Sequence, residues 1–279
     1  MGVAAPVERD EGRVAAVEQA FETHWRHFGL YPGASLRDED GVLWFESPIR
    51  HLPYNWIIRT HIPADRDADV VIDRVATTFR DRDVPFMWIH RPSDDPRDLG
   101  ERLLALGLSL GETAKGMDLE LADYEPRPNR SGAQVVETED DEERLQDYEE
   151  LIRTYWSVPD SDRHHIETLN RFWTGERSPG VRLVAYLDGV PVGKLFMNTQ
   201  EVPAHVAIYG VAVKPEVRGR GIARALMDAA LARAIATGVR RCVLHSSEMA
   251  LPMYTRMGFV TRCLLPVYAM RAIFETHHH

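Results

Sequence analysis

The sequence contains only two cysteines and has no hydrophobic run long enough to cross a membrane. Cys242 and Cys263 each lie in an apolar, strand-like run, without CxxC spacing or clustered histidines. This pattern supports neither a disulfide framework nor a zinc site, so we expect two buried, reduced thiols and no bound metal. No apolar stretch approaches the roughly 20 residues of a membrane-spanning helix.

An excess of positive charge is also missing, because the formal net charge is −10. A strongly acidic balance argues against a nucleic-acid partner and favours a cationic small molecule. The first ten residues lack the apolar core of a signal peptide, so the sequence predicts a cytoplasmic protein without a membrane partner. Residues 275–279 resemble the remnant of a purification tag, and their histidines carry no metal argument.

The chain is longer than one typical domain of about 100–150 residues. Residues 125–132 show no periodicity and concentrate turn-forming residues, which is typical of a linker. We therefore predict an N-terminal domain over residues 1–124 and a second domain over residues 133–274.

The most informative stretch is predicted to form a buried strand, a tight turn and the start of a helix. Residues 207–213 are apolar or small and end before Pro215, and from Ile222 apolar residues recur at helical spacing until Gly238. Arg218-Gly219-Arg220-Gly221 lies between the strand and the helix. Glycines permit a sharp turn, and the free N–H groups and dipole of a helix start favour an anion such as phosphate. The sequence has neither a P-loop nor a dinucleotide-binding GxGxxG at this place.

This stretch resembles the acetyl-coenzyme A motif of the GNAT superfamily of N-acetyltransferases, as Arg218-x-x-Gly221-x-Ala223. A second stretch, Ser247-x-x-Ala250-x-x-Met253-Tyr254-x-x-x-Gly258-Phe259, is similar to a further motif of that family, with serine in place of asparagine. The order of predicted elements over residues 133–273 also resembles the GNAT fold. The resemblance implies an α/β (α+β) fold in which a mixed, mostly antiparallel central sheet is flanked by helices.

The resemblance also implies acetyl-CoA as co-substrate, with its pantetheine arm at a separation between two neighbouring strands. The N–H groups of Val211 and Val213 would meet the pantetheine and the acetyl carbonyl there. Tyr254 matches the tyrosine that donates a proton to the coenzyme sulfur. The residues expected to bind the coenzyme are Val211, Ala212, Val213, Arg218, Gly219, Arg220, Gly221, Ile222, Ala223 and Ser247.

The general base is not evident, because the position of the glutamate that serves many relatives is occupied by Ala207. Strand alternation predicts that Ala207, Tyr209, Val211 and Val213 share one face. Candidate bases at strand ends are His205, Glu201, His245, Ser246 and Glu248, and a water chain or an amine of low pKa would make a base unnecessary.

The acceptor amine is expected to meet residues on a loop and at strand ends. These candidates are Asp160, Asp162, Tyr209 and Glu248. A solvated loop with Ser161 or Asp162 capping the next helix is the alternative interpretation of residues 160–162.

The N-terminal half resembles a weaker copy of the same fold. Before its long helix stand Asp65, Asp67 and Asp69, where phosphates would lie, and Coulomb repulsion would oppose an anion there. We predict a catalytically silent GNAT-like domain that walls one side of the acceptor site. An unrelated small α/β domain remains the alternative. The predicted assembly is a monomer with pseudo-twofold domains or a homodimer.

The predicted function is acetyl-CoA-dependent N-acetyl transfer to the primary amine of a small molecule, by direct attack in a ternary complex. Two alternatives stay open within enzymology, namely another acyl-CoA donor or a protein N-terminus as acceptor. A coenzyme-binding sensor or scaffold without turnover is the alternative of another class.

Overall fold

The computed structural model describes residues 10–138, 141–200 and 205–270 of the chain. In chain order the elements begin with α1 (Glu11–Arg26), β1 (Ser35–Glu39), β2 (Val42–Glu46), β3 (Trp56–Thr60), α2 (Ala68–Arg80), β4 (Met87–Ile89), α3 (Leu99–Ala105) and β5 (Leu108–Glu120). They continue with β6 (Gln134–Glu137), α4 (Glu142–Trp156), α5 (Arg163–Phe172), β7 (Gly180–Leu187), β8 (Val190–Asn198), β9 (His205–Val213), α6 (Ile222–Ala236), β10 (Arg241–Ser246), α7 (Leu251–Met257) and β11 (Val260–Met270). Glu201 and residues 275–279 lie outside the described residues.

The chain divides into two compact units that are not separated by a single cut. Unit 1 comprises Met1–Gly116, Ser246–Leu251 and Thr261–His279, and unit 2 comprises Met117–His245 and Pro252–Val260. The predicted linker, residues 125–132, falls within unit 2. The domain boundaries drawn from the sequence stay a prediction.

Unit 1 is built on strands in the order β1-β2-β3-β4-β11-β5. The C-terminal strand β11 belongs to this unit because it pairs antiparallel with β4, with Tyr268 opposite Trp88. The helical spacing of Val71, Val75 and Phe79 predicts one apolar face for α2, and all three are buried in one cluster with Trp88. The indole N–H of Trp88 donates to Thr60 Oγ1 at 2.9 Å, so its one polar atom is satisfied inside the core.

Two strands of unit 1 differ from the sequence prediction. The sequence from Leu110 to Leu121 predicts paired strands, but β5 is one continuous strand of 13 residues. No turn-forming dipeptide interrupts it, and its glycines lie inside the strand rather than at a reversal. The sequence does not predict the edge strand β1, because Ser35–Glu39 is mostly polar. Its last three residues, 37–39, are exposed.

Unit 2 is built on strands in the order β5-β10-β9-β8-β7-β6, and only residues 117–120 of β5 belong to this unit. The β9–β10 pair is parallel, whereas β6–β7, β7–β8 and β8–β9 are antiparallel. The dipeptide Asp188-Gly189 between two apolar runs predicts a hairpin, and the chain turns there between β7 and β8 with positive φ values of 51° and 79°. The mixed, mostly antiparallel sheet flanked by helices is thus confirmed, and both cysteines are buried free thiols as expected.

A buried carboxyl lies on α4 in unit 2. Glu149 is 4% exposed, and its Oε1 has no hydrogen-bond partner in the described part of the chain. Burial raises the pKa of Glu149 to about 7, against a smaller opposing effect of Arg171. The folded protein therefore binds a proton here that the unfolded chain releases between the ordinary pKa of about 4.3 and pH 7. Glu149 consequently lowers the free energy of unfolding as the pH rises through this range.

Glu149→Gln is expected to stabilise the protein more at pH 8 than at pH 5. The glutamine keeps the size of the side chain and removes the charge, so the gain at pH 8 should exceed that at pH 5 by about 2 kcal/mol. Urea unfolding at both pH values measures the difference. Glu143→Gln, at an exposed position of the same helix, is the control and should show no such change. Equal gains for Glu149→Gln at both pH values would contradict the role of burial.

Candidate active site

The central feature of unit 2 is a separation between two parallel strands. The paired residues of β9 and β10 end at Ile208 and Leu244, whereas β9 continues to Val213. After Ile208, the residues of β9 are no longer paired with residues of β10. This is the place where the resemblance to the GNAT family puts the pantetheine arm.

A β-bulge on the opposite side of β9 lies beside this separation. Tyr209 is opposite Phe196 and Ala212 is opposite Lys194, so the register with β8 shifts between these pairs. Gly210 lies in the bulge with a φ of 59°, a conformation that favours glycine. The bulge adds one residue to β9 and therefore changes the alternation of its side chains.

The prediction that Ala207, Tyr209, Val211 and Val213 share one face is consequently wrong. A Cβ at Gly193, which is opposite Val213, would lie 3.2 Å from both Val213 Cγ2 and Leu226 Cδ1 of α6. Val213 therefore faces α6, whereas Tyr209 shares the other face with its partner Phe196. Simple alternation fails here because it assumes an unbroken strand.

The turn after β9 leads directly into α6. Gly219 and Gly221 have φ values of 78° and 84°, and Gly221 is the N-cap of the helix. Within the described part of the chain, the backbone N–H groups of residues 219–223 donate no hydrogen bond. The guanidinium of Arg218 donates from Nε to Val213 O at 3.2 Å, and Arg220 is exposed. The turn thus offers free N–H donors, arginine charge and the positive end of a helix dipole to an anion.

Tyr254 lies on α7 and is 5% exposed. Its ring packs edge to face against Phe259, with ring centroids 5.7 Å apart. Burial, with smaller contributions from Cys242 and Tyr155, raises the pKa of Tyr254 above its ordinary value. The phenol therefore keeps its proton at neutral pH and can serve as a donor.

Ser247 closes the turn before α7 in unit 1. Its Oγ accepts from the N–H of Ala250 at 3.3 Å, and its carbonyl accepts from the N–H of Leu251 at 3.0 Å. Both contacts are local, so its predicted contact with the coenzyme stays a prediction.

Two of the carboxylates predicted to meet the acceptor already pair with a cation of this chain. Asp160 pairs with Arg153, and Glu248 pairs with Lys115. Asp162 is buried at the N-cap position of α5 but makes no capping hydrogen bond, contrary to the alternative interpretation of this loop. An ammonium group would have to compete with Arg153 and Lys115 at the first two positions.

The candidate bases differ in how they are placed. Burial lowers the pKa of His205 to about 4, with a smaller effect of Arg241, and this histidine begins β9, away from the bulge. His245 is the first residue of β10 after the last pair with β9, and its ring centroid lies 5.7 Å from that of Tyr209. Ser246 Oγ donates to Ser247 O at 2.8 Å. Of these side chains, His245 is the one whose ring contacts Tyr209 of β9 beyond the last paired residues.

One functional candidate, Lys194, was missed by sequence reasoning. This lysine lies on β8, is 3% exposed, and donates from Nζ to Gly210 O at 2.9 Å. Its Nζ is also 5.3 Å from the ring centroid of Tyr148 on α4. The available signal was a charged residue within an otherwise apolar strand, Val190–Asn198.

In unit 1, the parallel strand pair β3–β4 and the start of α2 correspond to the strand separation and the turn of unit 2. β3 and β4 pair in parallel at two positions, and a further bridge joins His61 to Asp95 beyond them. Asp67 Oδ1 accepts from the N–H groups of Asp69 and Val70 at 3.0 and 3.3 Å, so the start of α2 carries its own carboxylate. In the described part of unit 1, the strands are thus joined again beyond their last pair and the start of α2 is not free, which supports the predicted silence of this half toward the coenzyme.

Two further properties concern the described residues as a whole. No group of three or more histidine, cysteine, aspartate or glutamate side chains is arranged there to hold a metal ion. None of the helices in the described part of the chain combines the length and the apolar character that a membrane crossing requires.

Comparison with known proteins agrees with this geometry. Residues 145–259 match the model of the acetyltransferase (GNAT) family. A GCN5-related N-acetyltransferase from Kribbella flavida superposes with a TM-score of 0.68 at 14% identity, over 92% of this chain and 95% of that chain. A tandem GNAT protein from the clavulanic acid biosynthesis pathway gives 0.60 at 14% identity, over 95% and 96% of the two chains. A GCN5-related N-acetyltransferase from Sphaerobacter thermophilus gives 0.60 at 18% identity, over 85% and 75%.

A comparison with curated protein sequences finds no match. The class is nevertheless defined, because the family match covers the strand separation, the turn and Tyr254. The chain carries a GNAT acetyltransferase domain, and structures with this fold cover most of its length. The family implies acyl-CoA-dependent acetyl transfer, with acetyl-CoA as co-substrate.

Proposed function

We propose that this protein is an acetyl-CoA-dependent N-acetyltransferase that acts on the primary amine of a small molecule by direct attack in a ternary complex. The observation that carries the proposal is the strand separation after Ile208 followed by the free N–H groups of residues 219–223. These two features bind the two ends of a coenzyme, because one takes an extended thioester arm and the other takes an anionic pyrophosphate. The bound coenzyme supplies an activated acyl group.

The chain provides the remaining chemistry through three groups. The N–H of Val211 would bind the acyl oxygen and stabilise its developing negative charge. The Tyr254 hydroxyl would donate its proton to the departing sulfur. His245, whose ring contacts Tyr209, would accept the proton that the acceptor amine loses, while Ala207 cannot do so. Formation of the C–N bond and rupture of the C–S bond then need no covalent enzyme intermediate.

A small cationic acceptor is supported by the net charge of −10. The exposed carboxylate of Asp160 in unit 2 is a candidate for its ammonium group, although it already pairs with Arg153. Because Asp160 already has this cationic partner, an acceptor with more than one positive charge would compete for it better than one with a single charge.

The test combines coenzyme binding with turnover. Calorimetry should find one acetyl-CoA per chain, since the second potential site in unit 1 is closed by Asp67 and by the His61–Asp95 bridge. Release of free thiol, measured across amino acids, polyamines and aminoglycosides, should identify an acceptor.

Three other outcomes would contradict parts of the proposal. Two coenzymes per chain would show that unit 1 is not silent. Tight binding without transfer to any acceptor, including peptide N-termini, would indicate a coenzyme sensor or scaffold. If mass spectrometry of co-purified coenzyme found another acyl group, that acyl-CoA would replace acetyl-CoA as the proposed donor. The acyl-transfer chemistry would be unchanged.

A further inference from the structure

We propose that Lys194 is a positioning residue that orients and polarises the Gly210–Val211 peptide, whose N–H belongs to the acyl end of the coenzyme site. The inference rests on the proposed function, because it assigns a task to Val211 in acyl transfer. It concerns the described residues of unit 2 alone.

The geometry joins Lys194 to Val211 through a single peptide group. Lys194 Nζ donates to Gly210 O at 2.9 Å, and the N–H on the other side of that peptide bond belongs to Val211. A hydrogen bond to the carbonyl oxygen draws electron density through the planar amide and makes its N–H a stronger donor. The same bond fixes the rotation of the peptide plane, which sets the direction of the Val211 N–H.

The bulge needs such a support more than a regular strand does. At Gly210 the φ of 59° departs from strand geometry, and the register with β8 is broken between Lys194 and Phe196. A Cβ at residue 210 would lie 2.9 Å from Lys194 Nζ, so the glycine leaves the space that the ammonium group occupies. Lys194 and Gly210 therefore depend on each other, because the glycine leaves room for the ammonium group and its carbonyl accepts the ammonium hydrogen bond.

The surroundings of Lys194 do not explain its charge as part of an ion pair. Within the described residues no carboxylate lies at ion-pair distance from Nζ. The groups around it on this face are Tyr148 from α4, Arg182 from β7 and Tyr209 from β9. The guanidinium carbon of Arg182 lies 5.9 Å from the centroid of the Tyr148 ring. Burying an unpaired lysine is costly, and a purely structural position would be filled more cheaply by an apolar side chain.

Burial lowers the pKa of Lys194 to about 7. Near neutral pH the side chain therefore exchanges between an ammonium group and a neutral amine. Both forms can donate to Gly210 O, but the charged form polarises the peptide more strongly because charge-assisted hydrogen bonds are roughly twice as strong.

The first experiment uses the unmodified protein without coenzyme. NMR would follow the Nζ signals of its three lysines, Lys115, Lys194 and Lys214, together with the Gly210 carbonyl carbon and the Val211 amide nitrogen. We expect both backbone signals to shift with the same midpoint as Lys194. The amide of Ile208, outside the bulge, is the control. Backbone signals that do not follow the Lys194 midpoint would overturn the proposal.

The second experiment separates kcat from coenzyme affinity. Lys194→Met keeps the length of the side chain and removes the donor, so kcat should fall by about tenfold to a hundredfold. The Kd for acetyl-CoA, measured by calorimetry, should change by less than about threefold, because the pyrophosphate site is untouched. Lys194→Gln, which can still donate, should recover part of the loss.

These results also separate this inference from the proposed function. If the unmodified protein acetylates no amine, the proposed function fails, and the NMR titration alone decides whether Lys194 polarises the peptide. If the unmodified protein turns over and Lys194→Met keeps its full kcat, the inference fails and the function stands. If Lys194→Met does not fold, the titration of the unmodified protein still decides.

Discussion

Replacing Gly221 with valine is expected to abolish coenzyme binding, with a loss of affinity of at least about a hundredfold. Gly221 has a φ of 84° and is the N-cap of α6. A β-branched residue is strongly disfavoured in this conformation, so the turn would have to change and its N–H groups would point elsewhere. A side chain would also fill the space through which phosphate approaches the backbone. Calorimetry with coenzyme A measures the loss.

The chain offers a matched control at the other end of the same helix. Gly238 follows α6 with a φ of 78°, and a Cβ there would meet nothing within 4 Å. Gly238→Val therefore imposes a similar backbone strain, of about 1–3 kcal/mol, without touching the anion site. We expect both variants to lose stability and only Gly221→Val to lose affinity. A folded Gly221→Val protein that binds as well as the unmodified one would show that this turn is not the phosphate site.

The turn and the elements around it could be predicted because their signals are local. Glycine spacing fixes where positive φ values are tolerated, and the apolar period fixes the faces of α2 and α4. The hairpin at Asp188-Gly189 has an equally local signal, because the turn dipeptide itself predicts it. Each of these features depends on residues that are neighbours in the sequence.

The bulge at Gly210 could not be predicted in this way. Whether a glycine inside a strand is a bulge or an ordinary position depends on the register of the neighbouring strand, here β8. The assumption of unbroken alternation along β9 therefore placed Val213 on the wrong face. It also gave no sign of Lys194, because the carbonyl to which Lys194 donates lies 16 residues further along the chain. Strand pairing is a long-range property, and the sequence of one strand does not contain it.

The acceptor side shows the same limit for charges. Asp160 and Glu248 were predicted from their position in the resembled fold, but their ion pairs depend on Arg153 and Lys115. A charge at a strand or helix end is compatible with substrate binding, solvation or pairing, and only the folded chain distinguishes these. His245 was one of several base candidates in the sequence, and only the structure distinguishes it from the others by its ring contact with Tyr209.

Tyr254→Phe is expected to lower kcat by about a hundredfold and to leave the Kd for acetyl-CoA nearly unchanged. General acids contribute about 10²–10⁴ to a rate, and the effect should lie at the lower end because a thiol, with a pKa of about 8.5, leaves fairly readily as a thiolate. The substitution keeps the ring and its edge-to-face contact with Phe259, so packing is preserved. Because burial raises the pKa of Tyr254 above about 10, the deficit should persist from pH 6 to pH 9.

Tyr186→Phe supplies the control for this substitution. The Tyr186 hydroxyl donates to Asp147 Oδ2 at 2.5 Å. Tyr186→Phe likewise removes only a phenolic hydroxyl in unit 2, but on β7, away from the strand separation. Turnover of Tyr186→Phe should equal that of the unmodified protein, and thermal unfolding of both variants would show whether either has lost stability. If Tyr254→Phe also turns over at the unmodified rate, Tyr254 contributes packing alone, and the departing sulfur must take its proton from water.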